Sequence, residues 1–136
     1  MNRYTLTLKP DWGDALFWDE DGNLVGHCSE LYLYYEEPNE IRIDLSPIAG
    51  LKEWYYDWCK YDDDLWFRHK GVDKEMINNW CKQGIALSKE VKKLLPDNVD
   101  VEFVCSLSGE KFLIGNYRDL TIRHRSLFVV VIVLGF

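Results

Sequence analysis

The chain is short of the patterns that most chemistry needs. It contains no glycine-rich phosphate loop and no Gly-x-Ser-x-Gly turn, so the sequence signatures of nucleotide binding and of nucleophile-elbow hydrolysis are both missing. Its three histidines, His27, His69 and His124, have no partner at metal-ligand spacing, and zinc is not expected. The four cysteines, Cys28, Cys59, Cys81 and Cys105, form no Cys-x-x-Cys pair. Reduced thiols in a cytoplasmic protein are the expectation, with helical Cys59 and Cys81 serving as small apolar packing groups. A Cys-His nucleophile pair assembles in space rather than in sequence and stays open, although neighbours His27 and Cys28 would point to opposite faces of a strand.

Long apolar runs are scarce as well. The longest, Leu127 to Leu134, would span ~12 Å as a helix, whereas a bilayer takes roughly 20 residues, so no membrane span is expected. Tyr4, Leu6 and Leu8 alternate with polar residues where a signal peptide would have an apolar block. The acidic stretch around Gly22 fails as a calcium loop, because with Gly22 at the sixth position Phe17 stands at the first and Cys28 at the twelfth. Carboxylates are abundant, but abundance does not make an acid–base pair without a site to shift it. The chain is expected not to be an enzyme and to use no cofactor.

What the chain does have is a globular composition and an uneven charge. Its 136 residues, 47% hydrophobic and 29% charged, suit one domain with a real core. The net charge of -7 divides into -10 over residues 1–64 and +3 over residues 65–136. An acidic front half repels nucleic acid and anionic lipid and attracts cationic partners; a merely solvated face is the alternative.

Secondary structure is clearest from Asp73 to Cys105. Ile77, Trp80, Gly84, Leu87, Val91 and Leu94 recur at helical spacing, Asp73 is placed to cap, and Lys89, Lys92 and Lys93 suit the negative end of the helix dipole. Pro96 ends that helix, and Val99, Val101, Phe103 and Cys105 then alternate as in an edge or antiparallel strand. Earlier in the chain, Arg3 to Lys9 reads as a strand. Asp21-Gly22 marks a hairpin turn, and Ile41 to Leu45 reads as a strand, paired plausibly with Leu31 to Tyr35, itself either strand or buried helix. Ser46-Pro47 has the form of a helix entrance, predicting a helix from Pro47 to about Tyr61. Trp-Cys-Lys occurs in both helices, at residues 58–60 and 80–82, a match too short for a repeat. Phe112 to Ile114 and Leu120 to Ile122 look like short strands, and Leu127 to Leu134 like a central strand buried on both faces. The sum is an α+β single domain over residues 1–136, with two main helices packed on a mostly antiparallel sheet.

Three carboxylates, Asp62, Asp63 and Asp64, stand where the dipole disfavours them, and Trp66 and Phe67 follow in the connection to the next helix. Packing of these two aromatics on the core is the expected case, and exposure as binding anchors is the alternative.

The order of features adds a resemblance. Lys9-Pro10-Asp11-Trp12-Gly13, Leu16-Phe17-Trp18-Asp19, Leu45-Ser46-Pro47 before Leu51, Trp54 and Trp58, Gly84-Ile85-Ala86-Leu87 with Val91 and Leu95-Pro96-Asp97, and Val101-Glu102-Phe103 together resemble small immunity proteins of bacterial contact-dependent inhibition and other polymorphic-toxin systems. The likeness covers roughly residues 9 to 105 and leaves out the tail. It implies a cytoplasmic protein that binds a cognate secreted toxin, a nuclease with a cationic groove being the type an acidic inhibitor fits. The expected partner surface is Asp57, Asp62, Asp63, Asp64, Trp66 and Phe67, with no nucleic acid and no membrane as partner. The alternative is a non-enzymatic interaction or homo-oligomerisation module, built on the apolar tail or exposed aromatics.

Overall fold

The computed structural model describes residues 3–36, 39–68, 71–115 and 129–133. Five strands come first: β1 (Tyr4–Asp11), β2 (Ala15–Trp18), β3 (Leu24–Gly26), β4 (Glu30–Glu36) and β5 (Asn39–Asp44). Helix α1 (Leu51–Asp63) runs directly into a π-helical turn, Asp64–Arg68, and helix α2 (Lys74–Leu94) follows. Strands β6 (Val99–Val104), β7 (Lys111–Gly115) and β8 (Val129–Val133) complete the order. The fold is α+β.

Among the described residues the eight strands form one sheet in the order β5-β4-β3-β2-β1-β6-β7-β8. The first five make an antiparallel meander, because the short loops between them allow only reversal of direction. The chain then crosses over through both helices and returns as β6, parallel to β1, with Leu6 opposite Val101 and Leu8 opposite Phe103. β7 is antiparallel to β6, and β8 lies parallel to β7 at the margin of the sheet. The sheet is therefore mostly antiparallel.

Alternation decides what is buried. Leu6 and Leu8 of β1 and Val99, Val101 and Phe103 of β6 are all buried, as the period of two requires for one face. From the helices, Trp54 and Trp80 stack at 4.3 Å with their planes 6° apart, and both rings meet Phe103, at 5.8 and 6.1 Å. Each indole N–H donates to the other residue's carbonyl, Trp54 Nε1 to Trp80 O at 2.9 Å and Trp80 Nε1 to Trp54 O at 3.0 Å. Gly84 makes the approach possible: a Cβ there would lie 2.8 Å from Trp54 Cζ2 and closer still to Phe103 Cζ.

Where α2 hands over to β6, polar groups are buried with their partners. Lys92 Nζ donates to Val99 O at 2.7 Å, and the buried Asp100 carboxylate accepts from Arg3 Nη2 at 2.7 Å. Both arrangements follow the rule that buried charge is retained only when paired or hydrogen-bonded.

Several sequence expectations hold. α2 begins at Asp73, whose side chain accepts from Met76 N at 2.9 Å, and it closes before Pro96. The Asp19–Asn23 turn carries Gly22 at φ 81° between β2 and β3, and Leu31 to Tyr35 lies within strand β4, paired with β5.

Others need correction. α1 starts at Leu51 with Gly50, at φ 86°, as its cap, and not at Pro47. Ser46 is occupied elsewhere: its N–H and Oγ–H both donate to the Asp44 carboxylate, at 2.9 Å each, which holds a turn in place of a cap. β1 carries on through Pro10 to Asp11, past the expected break. β6 is not an edge but an interior strand, antiparallel to β7 as expected and parallel to β1. β8, expected at the centre of the sheet, is the outermost of the described strands; Leu120 to Ile122, Leu127, Phe128 and Leu134 lie outside the described residues. Finally, Cys81 and Cys105 are not reduced thiols but a disulfide between α2 and the residue after β6. Closing a loop of that length is worth about 3 kcal/mol in the chain-entropy account.

Candidate partner-docking surface

The far end of α1 gathers the residues of interest. Leu51, Trp54, Tyr55 and Trp58 form its buried stripe, and one turn beyond Trp58 on the same side comes Asp62. The helix does not stop at the carboxylates. It widens into the π-helical turn that begins at Asp64 and carries Trp66 and Phe67, each 71% exposed. π-Helical geometry is uncommon and concentrates where function needs a side chain re-aimed. The expectation that these two aromatics pack on the core is therefore overturned: the continued helix lifts them clear of it.

A second element reaches the same place. In the β1–β2 loop Gly13 and Asp14 both have positive φ, 80° and 61°, a conformation that is uncommon for an aspartate. The Tyr55 hydroxyl clamps that loop, donating to Asp11 O at 2.6 Å and accepting from Asp14 N at 3.0 Å. Burial pushes the Tyr55 phenol well above its ordinary range, so it is a neutral donor at any physiological pH. The clamp sets Trp12 over Trp58 with ring centroids 5.5 Å apart, and Trp12 Nε1 donates to Asp62 Oδ2 at 2.8 Å. Trp12 stays 51% exposed. Trp58 is buried, and its indole N–H has no hydrogen-bond acceptor among the described residues.

The six residues expected at a partner surface thus separate. Asp62 is joined to Trp12, and Asp63 forms an ion pair with Arg68 at 2.8 Å. Asp64 opens the turn that presents Trp66 and Phe67. Asp57 lies on another side of the helix, where with Glu53 it lines a shallow groove of about 380 Å³ against Gln83 and Leu87 of α2. Sequence reasoning missed Trp12; a tryptophan in a Pro-Asp-Trp-Gly-Asp loop, too short to bury it, was the available signal.

A cavity of about 290 Å³ on the other flank of α1 is lined by Asp14, His27, Cys28, Lys52 and Tyr56. Burial pushes the Cys28 thiol up to about 11, the nearby Asp14 carboxylate adding to the effect, so the nucleophilic thiolate is scarce at neutral pH. His27 Nδ1 accepts from Ser29 N at 3.3 Å. The Lys52 ammonium pulls the thiol the other way without offsetting burial and Asp14.

Exposed aromatics ringed by carboxylates are suited to a different task. They offer desolvation and directed attraction without a reacting group. Compared with protein-family models, curated proteins and solved structures, the chain matches none of them.

Proposed function

We propose that this chain is a non-enzymatic immunity protein that binds a cognate toxin through the surface formed by Asp62, Asp63, Asp64, Trp66 and Phe67, extended by Trp12. The observation that carries the reading is the pair of indole and phenyl rings, each 71% exposed, on a π-helical turn beside those carboxylates. Large exposed aromatics flanked by charge are what binding hot spots are made of, and the acidic rim suits a cationic partner such as a nuclease groove. In this reading the two helices form a layer on the sheet through Trp54, Trp80 and Phe103, which makes the end of α1 a rigid platform.

The cytoplasmic location belongs to the same proposal, and the Cys81–Cys105 disulfide weighs against it, because such bonds are rare in reducing compartments. Alkylation of the protein in freshly lysed cells tests this directly: a persistent disulfide moves the protein to an oxidising compartment.

Co-expression with the toxin of an adjacent gene is the test of function. Growth is restored and a complex is isolated if the reading is right; no rescue and no complex discard it. Reversing Asp62 and Asp64 to lysine slows association and flattens its salt dependence, and an unchanged salt dependence removes these carboxylates from the interface.

A homo-oligomer is the second reading, favoured by the position of β8, a run of uncharged β-branched residues on the margin of the sheet. Light scattering across a dilution series decides it: a dimer that disappears on deleting residues 127–134, with the domain still folded, would replace the first reading.

A further inference from the structure

The sheet contains a notch. β2 pairs with β1 only from Thr7 onward, and β3 pairs with β4 only at Gly26 and Leu31, so among the described residues no strand lies between Tyr4–Leu6 and the far half of β4. The turn Asp19–Asn23 closes one end of the gap, held by Asp19 Oδ1 accepting from Asp21 N and Asn23 N at 2.9 and 2.8 Å. Glu20 Oε1 accepts from Thr5 N at 2.6 Å, supplying the acceptor that a neighbouring strand would have provided. What remains is a slot of about 180 Å³.

Its lining has a definite chemistry. Leu6, Val25 and Val99 make an apolar floor, Tyr4, Tyr32 and Tyr34 contribute aromatic rings, and Asp19, Glu20 and Asp21 form the rim. Through Thr5, Asp19 and Glu20 the slot continues into a shallower groove that also takes in Thr7 and Glu102. No lysine, arginine or histidine is among the described residues that line either part. One of the rings is already engaged by a cation from outside the slot: the Arg42 guanidinium stands 5.1 Å from the centroid of Tyr32. An apolar floor, aromatic rings and a carboxylate rim fit one kind of occupant, a cationic head on an apolar stem.

We propose that this notch binds an arginine or lysine side chain of a partner polypeptide. The stem lies on Leu6, Val25 and Val99, and the charged head meets the tyrosines and the acidic turn. A polypeptide is favoured over a free amine because the slot opens through Thr5, Asp19 and Glu20 into the shallower groove that reaches Thr7 and Glu102, and a small cation would leave that added acidic surface empty. The site is separate from the Trp66 and Phe67 surface and does not depend on it.

The test is a titration of ¹⁵N-labelled protein followed by amide chemical shifts. The probes are acetyl-Ala-Arg-Ala-amide, the same peptide with neutral citrulline for arginine, and n-butylguanidinium chloride. The arginine peptide is expected to saturate, with shifts at Thr5, Val25, Tyr32 and Tyr34, and to bind at least tenfold more tightly than either of the others. The paired substitution Glu20→Gln and Asp21→Asn, and separately Tyr34→Ala at an exposed position, should each weaken it tenfold or more while the spectrum keeps its dispersion. Trp66→Ala should leave it unchanged. Equal binding of the citrulline peptide, or no saturation with any probe, overturns the proposal. Butylguanidinium binding as tightly as the peptide overturns its assignment to a polypeptide.

Discussion

Tryptophan is used in two opposite ways within one helix. Trp54 is stacked on Trp80, and both indole N–H groups are satisfied by reciprocal bonds to backbone carbonyls. One turn later Trp58 is also buried, yet its N–H finds no acceptor, and the ring above it, Trp12, is half open to solvent and tied to one carboxylate. A buried donor without an acceptor costs about 1–3 kcal/mol, whereas a satisfied one contributes about 1 kcal/mol. The first pair is where stability is concentrated. The second region gives stability up, which suits the docking role proposed for it.

The sharpest way to break this contrast is at Gly84. Substitution by valine places methyl groups where Phe103 and Trp54 already stand, and overpacking of this kind costs about 3 kcal/mol. Helix propensity argues the other way, since replacing an interior glycine with alanine gains up to ~1 kcal/mol. Gly84→Ala therefore serves as a sign test: a lower urea midpoint shows packing dominating propensity, and a higher midpoint would show that the cluster is looser than its geometry.

Next in size is the paired comparison Trp54→Phe and Trp58→Phe. The first removes a satisfied indole bond to the Trp80 carbonyl, which keeps its helical bond, an expected loss of about 1 kcal/mol beyond the change in ring size. The second removes a donor that has no acceptor, so that penalty is absent or reversed. If urea midpoints fall equally in the two variants, the distinction between the regions is wrong.

A smaller effect comes with pH. Cys28 lies beside Lys52 and Tyr56 of α1 and is pushed up by burial to about 11, from an ordinary value of 9. A thiol whose folded value is raised stabilises the folded state fully below pH 9, and that contribution fades as pH rises toward 11. The group is only partly buried, so solvent screening holds the amount below ~1 kcal/mol. Tyr55 and Cys59 are shifted in the same direction. The useful measurement is therefore the stability difference between the wild type and Cys28→Ala, which should move in favour of the variant between pH 8 and 11 and stay flat if Cys28 is exposed.

The ordered interior was the more legible region. α2 could be read because cap, apolar stripe, terminal lysines and Pro96 all agree, and β6 because strict alternation admits one buried face. The start of α1 misled because Ser46 has two uses for its hydrogen bonds and Asp44 claims it. β8 misled because an unbroken β-branched run has the same composition in the centre of a sheet and at its margin. The Cys81–Cys105 bond joins residues 24 apart with no motif between them, and only the fold brings them together. At the proposed docking surface Asp62, Asp63 and Asp64 stood out as charge placed against the helix dipole, and Trp66 and Phe67 as aromatics beside that charge, signals that carry no direction around the helix. Asp57, expected with them, lies on another side.

The smallest expected change in stability separates the two regions most cleanly. Trp66→Ala and Phe67→Ala remove large side chains that are 71% exposed and touch little of the core, so each should alter folding stability by less than ~0.5 kcal/mol. Their equals in the interior, Trp54 or Trp80 to alanine, would cost about 3–5 kcal/mol. Against the proposed toxin partner the ranking should invert. Truncating a hot-spot aromatic costs about 2 kcal/mol or more, close to thirtyfold in affinity, and truncating both rings should abolish rescue while leaving a folded protein. The measurement is a pair of numbers for each variant, a urea midpoint and a dissociation constant. A midpoint that drops with affinity would mean that the two rings hold the π-helical turn together, and the exposed cluster would then be a second core in place of a docking surface.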